Sequence, residues 1–288
     1  MISRLGILFM RAIAPLPLAW VRALGHGLGV ALYVLVWKRR EVVDVNLRLC
    51  FPHWTEARRR QVGREVFVFV AQSWLDRAWL WHADPEVVRR RLVLTGALHE
   101  LEGTEPTIIF APHFVGLDAG VTAILQQQSR PMTGIYTRQT NAIVDAWVLK
   151  GRHRFGAAKP VTRAEGVRGL VAALRAGELL YLLPDMNFGP EESIFVPFYG
   201  VQAATVPSLS RFARLGRAKV VPVVTRMTPT GYEVRVLDAW AGFPTQDVEA
   251  DTALMNERLQ GYIDAMPAQY YWVHKRFKTR PPGEPGVY

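Results

Sequence analysis

The stretch FAPHFVGLDAG, residues 110–120, sets His113 five positions ahead of Asp118, directly after the apolar run TIIFA. A histidine with a carboxylate on one ring nitrogen is a general base for a hydroxyl, because the carboxylate fixes the tautomer and stabilises the imidazolium that forms. Spacing alone carries little weight. With seven His and 25 acidic residues among 288, one such pair arises by chance about as often as not. Along a continuous helix five residues turn through about 500°, onto a different face, so the two side chains meet only if a turn intervenes. TIIFA reads as a strand, Pro112 ends it, and GLDAGVTAILQQQ resumes as a helix. His113 then falls at a strand's C-terminal end and Asp118 near a helix N-terminus, on the edge where open α/β sheets collect ligands. Asp118 is equally suited to a plain role as a charge favourable to the helix start.

Other chemistries lack their residues. There is no G-x-S-x-G elbow, no G-x-x-x-x-G-K-[ST] phosphate loop and no H-E-x-x-H helix; HELEG at 99–103 has no second His. Cys50 is the single cysteine, which excludes an internal disulfide and a Cys-rich zinc site. No metal and no cofactor is expected. What remains is a histidine base that lets an alcohol attack an acyl carbonyl directly, without a protein nucleophile.

The elements that must position this base are short apolar or alternating runs bounded by Gly, Pro or charge. RLVLTG, PTIIFAP, RPMTGIYTR, ELLYLLPD, SIFVPFYG, AKVVPVVTRM and YEVRVLDA read as strands. Helical patterns separate several of them. In EGVRGLVAALRAGE, Val167, Leu170, Val171 and Leu174 recur at i, i+3, i+4 and i+7, and TEARRRQVGREVFVFVAQSWLDRAWLW from Thr55 to Trp81 reads as one long helix. The alternation predicts an α/β fold with a mixed central sheet flanked by helices.

The first forty residues differ. They are nearly continuous apolar sequence interrupted by Arg11, Arg22 and His26, and only fifteen residues separate Arg22 from Lys38. An upright span needs about 20, a shortfall that a snorkelling Arg22 could relieve. Spanning, lying in the membrane plane and forming a buried helical hairpin of the core all fit this composition. Residues 1–45 are read as a membrane anchor and 46–288 as the catalytic domain, with Lys38, Arg39 and Arg40 on the cytoplasmic flank. Thirty-five Lys and Arg against 25 Asp and Glu give a net charge of +10, which favours a polyanionic partner: nucleic acid, anionic lipid or an acidic carrier protein.

An ordered set of blocks narrows the choice. HFVGLD, KGRHRFG at 150–156, LLPDMNFGP at 182–190, FVPFYGVQAATVPS at 195–208, RFARLGRAKVVPV at 211–223 and QYYWVHKRFKTRPPGEPGVY at 269–288 together resemble the lipid A biosynthesis acyltransferases, the lauroyl and myristoyl transferase type within the lysophospholipid acyltransferase superfamily. The resemblance implies an acyl carrier protein thioester as donor, a phosphorylated acyl-disaccharide lipid A precursor as acceptor, and no nucleic acid. It also implies an N-terminal anchor in the inner membrane with the active site on the cytoplasmic face. By the same resemblance His113 and Asp118 are the catalytic pair, although many members carry Glu at the position of Asp118. Arg152 and Arg154 match the GR-x-R block and would hold phosphate or polarise the carbonyl. Asp185 and Asn187 would orient an active-site Arg or the acceptor, or else shape a turn beside Gly189 and Pro190; Thr205 would donate a hydrogen bond or cap the next helix; and Arg138, at a strand end, is a substrate-binding candidate whose plain reading is surface solvation. Trp272, His274, Arg276 and Lys278 are expected to support the interface or face phosphate. Two rivals stay open: an acyltransferase for a glycerophospholipid or another lipid hydroxyl, and a non-catalytic basic membrane-binding protein.

Overall fold

The computed structural model describes residues 2–156, 158–162 and 166–288. Four helices come first: α1 (Ile2–Ile13), α2 (Leu18–Leu35), α3 (Trp37–Cys50) and α4 (Glu56–His82). There follow α5 (Pro85–Arg91), β1 (Leu92–Gly96), β2 (Thr107–Phe110), α6 (Leu117–Gln127), β3 (Met132–Tyr136), α7 (Ala142–Arg152), β4 (Ala158–Thr162), α8 (Gly166–Arg175) and β5 (Leu179–Leu182). The chain continues through β6 (Ile194–Phe198), β7 (Val201–Thr205), α9 (Ser208–Gly216), β8 (Lys219–Thr228), β9 (Gly231–Val236) and α10 (Val248–Ala265).

Seven strands form the central sheet in the order β1-β9-β8-β2-β5-β3-β4. Pairing from β8 through β4 is parallel, whereas β8 and β9 run antiparallel and β9 takes β1 as a parallel partner. The sheet is therefore mixed, as the sequence predicts. SIFVPFYG is a strand but joins β7 in a separate antiparallel hairpin. Strands β4 (AKPVT) and β7 (VQAAT) carry no apolar run, and the pattern of the sequence does not reveal them.

Side chains alternate across the sheet, so Ile109 packs with α1, α4, α6 and α7 on one face, while Ile108 and Phe110 pack with α3, α8, α9 and α10 on the other. Helix α4 serves both faces. Its start is capped by Thr55, whose hydroxyl accepts from the Arg58 N–H.

Helix α2 is apolar apart from Arg22 and His26, yet only the seam Val21, Gly25 and Gly29 is buried. That seam lies against α4 so closely that a Cβ at Gly29 would sit 2.5 Å from the Val68 Cα. Arg22 does not snorkel. Its guanidinium grips Asp76 of α4 at 2.8 and 3.0 Å and donates to the Gly231 carbonyl, while Tyr232 and Trp79 complete the Asp76 shell. Met10, Ile13, Ala14 and Val21 belong to the buried core, and position 45, the expected domain boundary, falls inside α3. The outer side is different: Leu5, Leu8, Phe9, Trp20, Leu24 and Leu28 are exposed, and Leu35 and Trp37 continue the surface. Among the described residues α2 is the one helix long and apolar enough to cross a membrane.

Removing one partner of a buried ion pair leaves the other charge uncompensated. Arg22→Ala should therefore destabilise the protein by about 3 kcal/mol. Arg22→Leu combined with Asp76→Asn should lose less, which thermal melts of the detergent-solubilised protein would test.

Candidate active site

Strands β2 and β5 are parallel neighbours with Phe110 opposite Leu182, and the pairing extends one step as the Ala111 N–H donates to the Leu182 carbonyl at 3.0 Å. Three residues beyond those partners stand His113 and Asp185. The His113 Nδ1 lies 2.7 Å from Asp185 Oδ1, and the His113 backbone N–H donates to Asp185 Oδ2 at 2.9 Å. Asp185 is fully buried. The Tyr270 hydroxyl gives its carboxylate a third donor at 2.9 Å. Burial alone would raise the Asp185 pKa, but the His113 charge, the two His113 donors and the Tyr270 hydroxyl outweigh it and hold the carboxyl below its usual range. An ionised Asp185 only accepts, so the hydrogen-bond network assigns the ring proton to Nδ1 and leaves Nε2 with its lone pair.

The C-terminal segment fixes the loop that carries the base. Val115 N–H donates to the Gln269 carbonyl and Tyr271 N–H to the His113 carbonyl, both at 2.9 Å, while Phe114 and Tyr270 form an antiparallel bridge. The Gln269 amide in turn pairs with both backbone groups of Met227 on β8.

Asp118 is the correction. It stands in the first turn of α6, but its carboxylate makes no cap there and makes no hydrogen bond to His113 among the described residues. Oδ2 accepts from Arg77 Nε at 2.7 Å and Oδ1 from Arg152 Nε at 2.8 Å. Burial disfavours its charge, but Arg152 and Arg77 override this and drive its pKa far down. Two guanidinium groups on one carboxylate leave a net positive centre. Among the described residues Arg77 Nη1 is buried without a hydrogen-bond partner, and the Arg77 guanidinium stacks 3.9 Å from the Trp74 ring centre. Arg152 reaches this place because α7 packs tightly on α4: a Cβ at Gly151 would lie 2.2 Å from the Trp81 ring.

The remaining expected residues scatter. Arg154 turns away and donates to the Leu80 and Ala83 carbonyls at the end of α4. Arg138 is exposed on the surface near Asp145. Thr205 caps no helix; it is buried, donates to the Ala203 carbonyl at 3.0 Å and accepts from Arg276 Nη2 at 2.7 Å. Asn187 ties the loop after Asp185 to the C-terminal segment: its N–H donates to His274 Nε2, and its side chain meets the Arg276 carbonyl and Thr279. Asp185 grips neither an Arg nor open space, but His113. Trp272 and Arg276 are buried supports, not interfacial groups. Burial, then the Arg276 and His113 charges, push the His274 pKa down to about 4, which keeps it a neutral acceptor for Asn187 near pH 7.

Two cavities meet at His113. One, of about 420 Å³, holds Arg77, Asp118 and Arg152 beside Trp74, Tyr136 and Val121. The other, of about 480 Å³, is walled by Leu170, Leu182, Leu183, Val206 and Phe212. A base at the junction of two largely apolar cavities, with a cationic centre in one, suits transfer of an acyl chain onto a hydroxyl of an anionic lipid.

A model of the bacterial lipid A biosynthesis acyltransferase family matches residues 1–279. The lipid A biosynthesis acyltransferase of Haemophilus influenzae is 34% identical over 97% of this chain and 88% of its own length. The lipid A biosynthesis lauroyltransferase of Escherichia coli is 32% identical over 99% of this chain and 94% of its own. The E. coli lipid A biosynthesis myristoyltransferase is 31% identical over 83% and 75% respectively.

The site makes two predictions. In 15N NMR at neutral pH, Asp185→Asn should shift the His113 ring away from the Nδ1–H tautomer, whereas Asp118→Asn should not. Both carboxylates titrate below the unfolded value of about 3.9, so the stability they contribute is present above that pH and is lost as pH falls through their folded pKa values. The melting temperature should accordingly hold level from pH 7 to about pH 5 and fall as the pH is lowered below about 4, less steeply in Asp118→Asn.

Proposed function

The chain belongs to the bacterial lipid A biosynthesis acyltransferases, and from that premise we propose that it moves a fatty acyl chain from an acyl carrier protein thioester to a hydroxyl of a phosphorylated acyl-disaccharide lipid A precursor, with His113 as general base. The observation that carries the mechanism is the His113–Asp185 pair at the junction of the two cavities.

His113 Nε2 takes the acceptor's hydroxyl proton as the oxygen attacks the thioester carbonyl. Asp185 stabilises the imidazolium, and its two further donors keep it from rotating away. As the tetrahedral intermediate collapses, the new C–O bond is kept, the C–S bond breaks, and the imidazolium returns its proton to the departing thiolate. No protein acyl intermediate and no cofactor is required. Arg77 and Arg152, held by Asp118, supply positive charge for an acceptor phosphate or the developing oxyanion. Sequence order hides Arg77, which lies within the aromatic run of α4.

The exposed apolar face of α1 and α2 supports a seat at a membrane. With Arg22 committed to Asp76, that seat is in the plane of the bilayer surface, and residues 1–45 act as the anchor while remaining packed on the catalytic body. The inner membrane, cytoplasmic face outward to the carrier, is where such a donor and acceptor meet.

Incubation of the purified protein with a panel of acyl carrier protein thioesters and a tetra-acyl disaccharide acceptor, read by mass spectrometry, should give a product heavier by one acyl group. A glycerophospholipid product, or none, would contradict the reading. Among variants, His113→Ala and Asp185→Asn should each lose about 10²-fold or more in kcat. Asp118→Asn should act chiefly on KM for the acceptor, because it loosens Arg77 and Arg152 without touching the base.

A further inference from the structure

The two cavities open onto different parts of the molecule. The first includes Ser73, Trp74 and Arg77 of α4, the helix on which the apolar α2 is docked. The second takes no lining residue from α1 to α4 among the described residues; it is walled by α8, α9 and the ends of β5 and β7. Around its mouth Val167, Phe188 and Leu215 are exposed. Glu192 also lines it.

Helices α8 and α9 contain no acidic residue. They carry Arg168, Arg175, Arg211 and Arg214, with Arg217 just past the end of α9, and all five are exposed. Among the described residues none of the five forms an ion pair with a carboxylate. Arg175 and Arg214 donate only to the Leu215 and Thr245 carbonyls, which leaves their charge uncompensated. A ridge of like charge with exposed apolar residues at a cavity mouth is the complement of an acidic protein that presents a tethered apolar group.

We propose that the α8–α9 ridge is the docking surface for the acidic acyl carrier protein, and that the second cavity receives the acyl chain it delivers to His113. The lipid acceptor then enters through the first cavity, from the side of α4 and the apolar N-terminal helices. This assignment rests on the carrier-thioester reading above. It favours a carrier over a membrane because the most extended set of exposed large apolar side chains lies on α1 and α2, and the core residues of α1 and the first half of α2 pack on the opposite face of the sheet from α8 and α9.

The test uses the full chain in nanodiscs and the double variant Arg168→Glu/Arg217→Glu, neither position lining a cavity. Dissociation constants are measured for acyl carrier protein bearing a dodecanoyl thioester and for S-dodecanoyl pantetheine, with binding to phosphatidylglycerol vesicles as a third arm. The carrier's affinity should weaken about tenfold or more, and its salt dependence should flatten. Affinity for the pantetheine thioester and for vesicles should stay as in the parent. Should the variant melt early, Arg168→Gln/Arg217→Gln serves with a smaller shift in the same direction. Unchanged carrier affinity, or equal weakening for both donors, would overturn the docking surface; so would loss of vesicle binding alone. If the parent binds no carrier thioester but turns over a coenzyme A thioester, the donor reading itself fails, a different outcome from the first.

Discussion

The adjacency of β2 and β5 is the constraint on which the site depends. Their parallel register sets Phe110 against Leu182, and each chain then runs three residues further to place His113 and Asp185 in contact. A carboxylate buried this completely survives as an anion only if its oxygens are filled. His113 supplies a ring and a backbone donor, and Tyr270, arriving from the C-terminal segment, supplies the third. The same segment holds the His113 backbone through Tyr271 and is itself held to β8 through Gln269. Three other stretches of chain, the loop of Asp185, the C-terminal segment and, through Gln269, β8, therefore brace the one that carries His113.

Much of this architecture can be read in the sequence, because apolar runs of period two and the heptad-like spacing of α8 are local signals. The position of His113 at a strand end is legible for the same reason. Its partner is not. Asp118 suggests itself by proximity, whereas Asp185 lies on a strand that becomes a neighbour only through sheet order, which no local pattern encodes. The family-type block around Asp185 marks it as a candidate site residue but gives no hint that its target is His113. Arg77 is missed because one Arg amid aromatics reads as the solvated face of a helix; its flanking Trp74 and Trp81, at i−3 and i+4, are the signal that could have found it. Thr205 and Arg154 mislead in the opposite way, since polar residues in site blocks also satisfy buried backbone and buried arginine.

The N-terminal helices show why hydropathy alone left three readings open. One seam of α2 and the inner residues of α1 close the core, and the outer face stays apolar and uncovered. A segment with both duties is apolar on its outer as well as its inner side, like a span, and carries an ion pair at Arg22, like a core helix. The arrangement ties this exposed apolar surface to α4, and α4 supplies Arg77 to the site, so the membrane seat and the acceptor binding proposed above share one element.

The central claim, that His113 and Asp185 act as one unit, is tested most directly by a mutant cycle on the acyl-transfer rate: His113→Ala, Asp185→Ala and the double variant, each measured under single-turnover conditions. Residues that work as a unit are strongly non-additive, so the double variant should be about as slow as His113→Ala alone. Losses that multiply, with the double variant slower by the product of the two single effects, would contradict the account.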